Sequence, residues 1–159
     1  ELILKEIGYA EKKIGSTAAG LEVVQDVLAK WKIKDVVMSD GSGLSVNNRI
    51  SCQTFQKLLT QEIDVLPPLL AIAGETGTLR SAFTESSVKG TLVAKTGTLT
   101  GVKALTGYLT IANTEPVVFS LIMNVAGIDN QNSYRPVWYA LSDALNRAKS
   151  TPSVEQLIP

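Results

Sequence analysis

Gly90-Thr91-Leu92-Val93-Ala94-Lys95-Thr96-Gly97-Thr98-Leu99-Thr100-Gly101 is the stretch from which the rest of the chain is read. Thr91 to Ala94 is a short β-type run that delivers Lys95 to the lip of a glycine-flanked turn. Behind the turn, Lys103 to Ala112 reads as a second strand. An ammonium at Lys95 and a hydroxyl at Thr96, carried on one strand edge, can grip a carboxylate. Gly97 has no side chain, so another extended backbone can lie flat along that edge. The next backbone N–H, at Thr98, is placed to serve as an oxyanion donor. Read more plainly, the same residues are a basic strand end ahead of a hairpin turn.

Downstream, Leu105, Gly107, Leu109 and Ile111 alternate with Thr106, Tyr108 and Thr110, which gives the second strand two different faces. Asn113-Thr114-Glu115-Pro116 makes a turn. Val117 to Val125 is almost continuously apolar, the pattern of a strand buried on both faces. Gly127 to Asn132 is a loop, and Ser133 is the N-cap of a final helix whose stripe is Trp138, Leu141, Leu145 and Ala148. The tail Ser150 to Pro159 reads as loosely attached to a domain spanning 1–149.

Upstream the chain is helical. Glu1 to Gly8 reads as the last turns of an apolar-faced helix stopped by glycine, and its uncapped start predicts further chain before it. Ser16 or Thr17 caps a second helix with Leu21, Val24, Leu28 and Trp31 on one stripe, and Val23 and Val27 beside it. Ile33 to Met38 is a strand or extended segment, ended by the turn chemistry of Asp40-Gly41-Ser42-Gly43. Ser51 caps a third helix with Phe55, Leu58 and Leu59 on one face, and Pro67-Pro68 forbids its continuation. Leu69 to Val88 reads as a short helix with loops. The order is helices, a three-strand antiparallel meander, then a closing helix.

Composition narrows the chemistry. The 159 residues are 45% hydrophobic and 19% charged, and 15 basic residues cancel 15 acidic ones, so nothing points to nucleic acid or an anionic surface. There is no histidine, which removes Ser-His-Asp and Cys-His catalysis and every His-ligated metal site. A single cysteine, Cys52, allows no internal disulfide and leaves the compartment open. No stretch has the length of a membrane span.

Lys95-Thr96-Gly97 resembles the K-T-G element of serine β-lactamases and penicillin-binding proteins, whose chemistry also needs a nucleophile in S-x-x-K and a proton-handling S-x-N. Both patterns occur literally. Ser86-Ser87-Val88-Lys89 fits S-x-x-K, but Gly90 and strand residues follow at once, so no helix places the lysine one turn after the serine. Ser45-Val46-Asn47 fits S-x-N but sits in a turn. Their order, with S-x-x-K second, is not that of the enzymes. Both read as decoys.

Three longer stretches carry a closer resemblance. Asp40-Gly41-Ser42-Gly43-Leu44-Ser45 with Asn48-Arg49-Ile50-Ser51, then Ala73-Gly74-Glu75-Thr76-Gly77-Thr78-Leu79, then Ala94 to Val102, resemble in order the motifs of D-alanyl-D-alanine carboxypeptidases of the penicillin-binding protein 4 type. Glu1 to Gly8 is similar to the helix that follows that family's S-x-N. The resemblance implies an α+β fold (an α/β sandwich), here the C-terminal half of a β-lactamase/transpeptidase-like domain, with helices packed on an antiparallel sheet. It implies a periplasmic or extracytoplasmic protein that trims peptidoglycan peptides through an acyl-enzyme and is acylated by β-lactams, with no metal or cofactor.

By the same resemblance Lys95, Thr96, Gly97 and Thr98 are the catalytic-motif residues present here. Lys95 and Thr96 bind the substrate's terminal carboxylate, the Thr98 N–H completes an oxyanion hole, and Thr100 stands at the mouth of the strand. Asp40 and Ser42 shape the pocket wall. Val46 stands where many relatives carry a basic residue, which departs from the family pattern. The nucleophile would lie upstream, leaving this chain inactive alone and partnered by the N-terminal remainder of a longer protein or by self-association. Two other readings stay open: a serine β-lactamase or esterase relative, and a non-catalytic peptide-binding module.

Overall fold

The structure, a computed structural model, describes residues 1–111 and 115–148. The predicted tail, and Ala112, Asn113 and Thr114 at the predicted turn, lie outside the described residues. The chain divides into two compact units, Glu1–Gln61 and the part from Glu62 onward.

In the first unit, α1 (Leu2–Lys12) and α2 (Thr17–Lys30) form a helical hairpin. Gly8 does not end α1, contrary to the expectation from sequence. The helix runs on to Lys12 and closes at Lys13, whose φ of 60° is left-handed and whose N–H bonds Tyr9 O. Gly8 serves close approach instead. A Cβ there would lie 2.7 Å from Gly20 N, and one on Gly20 would lie 2.0 Å from Leu4 O. The α1–α2 contact is therefore built on missing side chains. Of the predicted α2 stripe only Leu28 is fully buried, beside Ala19 and Gly20.

Ser16 caps α2 as predicted, its hydroxyl accepting from Ala19 N–H at 3.1 Å. Strands β1 (Val36–Val37) and β2 (Arg49–Ile50) pair antiparallel and close the loop that carries Asp40. Ser51 caps α3 (Cys52–Gln61), accepting from Thr54 N–H at 3.1 Å.

The second unit holds the predicted meander, β4 (Leu92–Leu99), β5 (Val102–Leu109) and β6 (Val117–Asn124), all antiparallel. The structure adds β3 (Ala71–Ile72), which pairs with Val93 and Ala94 at the outer side of β4. The predicted short helix with loops between Leu69 and Val88 is this strand with two 3₁₀ turns, Pro67–Leu69 and Gly77–Leu79. Gly101, at φ 71°, turns the chain from β4 into β5.

One sheet face packs under α4 (Gln131–Ala148). Leu92, Ala94, Leu105, Leu109 and Phe119 share a core with Tyr134, Trp138 and Leu145 of the helix and with Leu79, Phe83 and Val88 of the preceding loops. Phe83, Trp138 and Tyr134 form a chain of ring contacts 4.6 to 6.0 Å apart. Burying each such ring stabilises the unit by about 2–3 kcal/mol. α4 starts two residues before the predicted Ser133 cap. Asn130 supplies the side-chain acceptor, taking the Asn132 N–H at 2.9 Å. Strand β6 is half-buried apart from buried Phe119 and exposed Asn124, because it is the last strand of the sheet rather than a central one.

Candidate active site

The antiparallel ladder fixes which way each β4 peptide faces. Thr110 N–H bonds Thr91 O on the β5 side, and Ala73 N–H bonds Leu92 O on the other, each at 2.9 Å. Hydrogen-bonding direction alternates along such a strand, so Thr96 and Thr98 turn their main-chain N–H and C=O groups away from β5. Strand β3 stops opposite Val93 and Ala94. From Lys95 to Leu99, β4 has no outer neighbour among the described residues. That open edge is the centre of the candidate site.

Lys95 is exposed, and its ammonium donates to Thr96 O at 2.7 Å, so the positive charge lies on the open edge. Thr96 donates its hydroxyl to Thr78 Oγ1 at 3.0 Å, in the 3₁₀ turn Gly77–Leu79. Gly97 stands opposite Ala104, and an added Cβ would lie 3.2 Å from the Ala104 Cβ. Thr98 stands opposite Lys103, and Thr100 is exposed in the turn that follows. The edge thus offers main-chain donors and acceptors, one cation and hydroxyls. This is the equipment for an extended peptide ending in a carboxylate.

The turn is held from behind. Asp129 Oδ1 accepts the Gly101 N–H at 3.0 Å, and that bond is the first cause holding its carboxyl below the usual range. Lys103 donates to Thr98 Oγ1 at 2.7 Å. Sequence reading missed Thr78, Asp129 and Lys103. Thr78 was visible in the Ala73–Leu79 motif, and Lys103 as a charge at an inward position of the Leu105, Gly107, Leu109 alternation.

In the first unit, Asp40 organises its own loop. Its carboxylate accepts from Ser42 Oγ and Asn48 Nδ2 at 2.8 Å each, and from the N–H groups of Gly43, Leu44 and Ser45 at 2.8 to 3.1 Å. The Asn48 and Ser42 bonds hold its carboxyl well below the usual carboxylate range. Asp40 and Ser42 therefore meet each other, and their polar atoms are spent on the loop.

The literal S-x-x-K and S-x-N patterns lie in turns. Ser86 Oγ accepts the Val88 N–H at 3.4 Å and lies 3.3 Å from Ser142 Oγ, while Lys89 reaches Ser86 only through its backbone N–H. Ser45 Oγ accepts the Asn47 N–H at 3.2 Å.

Residues 1–142 match the D-Ala-D-Ala carboxypeptidase 3 (S13) family, and the chain belongs to that family. It is 33% identical over 136 residues to a D-alanyl-D-alanine carboxypeptidase of Actinomadura sp. (strain R39), covering 78% of this chain and 25% of that protein. It is 31% identical over 150 residues to a carboxypeptidase of Mycobacterium tuberculosis, covering 84% of this chain and 32% of the relative. Penicillin binding protein 4 (dacB) from Haemophilus influenzae superposes with a TM-score of 0.77 at 25% identity, over 94% of this chain and 36% of the other. The chain thus spans a quarter to a third of the length of these relatives. The family favours the carboxypeptidase reading over a β-lactamase relative or a non-catalytic peptide-binding module.

Proposed function

We propose that this chain supplies the carboxylate-gripping and oxyanion side of a serine D-Ala-D-Ala carboxypeptidase/endopeptidase site that is acylated by β-lactams. The observation that carries the reading is the open β4 edge from Lys95 to Leu99, with Thr96 and Thr98 main-chain groups turned outward. A peptidoglycan stem peptide adds to this edge as an extended strand. Lys95 and Thr96 take its terminal carboxylate, Gly97 keeps the approach clear, and Thr100 stands beside the substrate side chain. Asp40 and Ser42 serve in the first unit by holding the shape of their own loop.

A serine hydroxyl attacks the carbonyl carbon of the penultimate D-Ala. The Thr98 N–H donates to the oxyanion as it forms, the terminal D-Ala leaves as the protonated amine, and water then hydrolyses the ester. The serine is not Ser86 but belongs to an S-x-x-K segment outside these 159 residues, so this chain alone is inactive. Its partner is the remainder of a longer protein, or a second copy. Such an enzyme works in the periplasm or another extracytoplasmic space.

Incubating the longer protein with a penicillin, then measuring intact mass and mapping the adduct, tests the reading. An adduct on an upstream serine is expected, formed about 100-fold more slowly in Lys95→Ala. An adduct on Ser86, or none at all, would overturn it.

A further inference from the structure

Lys103 is only 7% exposed, and a lysine is seldom buried without a carboxylate beside it. Among the described residues no carboxylate forms an ion pair with it, although Asp129 lies near enough for the Lys103 charge to help hold its carboxyl low. The Lys103 ammonium lies instead 4.0 Å from the centre of the Tyr134 ring and 5.0 Å from that of Trp138, and donates to Thr98 Oγ1 at 2.7 Å. Two aromatic faces on α4 stabilise the cation, and the threonine hydroxyl takes one of its protons.

The target of that proton matters. Thr98 faces Lys103 directly across β4 and β5, on the stretch where β4 has no outer neighbour. A strand without an outer partner owes its order to inner contacts and opens locally more readily than a central one. The Lys103–Thr98 bond is such a contact, and through the ring pair it refers Thr98 to the body of α4.

We propose that Lys103 is a positioning residue of this site. It acts through the Thr98 side chain to hold the Thr98 N–H on the open edge in register with a bound peptide. The inference rests on the carboxypeptidase reading. A purely structural role would be filled as well by an apolar side chain of similar length, because an aromatic cage accepts a thioether without the cost of burying a charge. Here the polar contact reaches the hydroxyl of Thr98, the residue whose N–H faces the open edge.

The test uses the longer protein with Lys103→Met, Lys103→Arg, Thr98→Val and the double variant Lys103→Met/Thr98→Val. Rates of β-lactam acylation, kcat and KM on a D-Ala-D-Ala peptide, and Tm are measured for each. Lys103→Met is expected to lower acylation and kcat about tenfold, with KM within about twofold and Tm unchanged or higher. Lys103→Arg recovers part of the loss. Thr98→Val matches the loss, and the double variant is no worse than either single one.

Full activity in Lys103→Met overturns the proposal. So does a loss that tracks a fall in Tm, or additivity in the double variant. If the unmutated protein forms no acyl-enzyme and cleaves no peptide, the carboxypeptidase reading fails first and the role of Lys103 falls with it. Normal acylation of both the unmutated protein and Lys103→Met removes the role of Lys103 alone.

Discussion

The hydroxyls of Thr96 and Thr78 meet at 3.0 Å, tying the open half of β4 to the 3₁₀ turn beside it. The contact spends the Thr96 proton on Thr78 and leaves a Thr96 lone pair, with the Thr78 proton free to point toward a ligand. Thr78→Val removes that arrangement while keeping the shape of the side chain. The expected result, in the longer protein, is a KM for a D-Ala-D-Ala peptide raised about three- to tenfold with little change in Tm. Steady-state kinetics beside a thermal melt checks both halves.

Ser86 separates the literal motif from the working one. Its hydroxyl is used by the Val88 N–H and Ser142, within a turn packed under α4. Ser86→Ala is expected to leave β-lactam acylation of the longer protein within about twofold, since no covalent step is assigned to it. Stopped-flow acylation of the variant decides the point, and a lost adduct would make Ser86 the nucleophile.

Asp40 sets a pH dependence. Its folded carboxyl lies below the ordinary value of 3.8, first through the Asn48 amide and then through Ser42. The depressed folded value means that its contribution to stability is complete above about pH 5 and is lost as the pH falls toward and through the folded value. Asp40→Asn is therefore expected to lower Tm at neutral pH, because an amide cannot accept all five donors. The gap to the unmutated protein narrows on acidification below about pH 4. Melts of both proteins between about pH 3 and about pH 7, from about one unit below the unfolded titration to about three above it, measure the gap.

The α1–α2 contact has almost no room. Gly20→Ala would set a Cβ 2.0 Å from Leu4 O and 2.8 Å from Leu4 Cγ. Backbone on one side cannot yield as a flexible side chain would, so the helices must separate. The expected cost is about 3 kcal/mol, read from urea unfolding.

Much of the secondary structure of both units was legible before the structure. Alternation and apolar runs gave the three long strands, and Ser16 and Ser51 marked two helix starts because a capping hydroxyl leaves a local signature. The misreadings share a cause. Gly8 looks like a helix stop, yet its role depends on Gly20, twelve residues on, and no local pattern encodes that partner. Strand β3 has two residues, too few for any period to register. At the site, Lys95 to Thr98 could be found from their chemistry. Thr78 and Lys103 owe their importance to contacts 18 and 5 residues away, which only folding brings about.

The brevity of β3 sets a limit on what the neighbouring edge can discriminate. Main-chain groups along Lys95–Leu99 are the same whatever peptide lies against them, so those rungs reward extension and ignore sequence. On the proposed reading, choice among extended chains would then come from the ends of the row, at the Lys95 charge and the exposed Thr100 turn. Engineering a new preference would accordingly leave the ladder alone and rewrite its two ends.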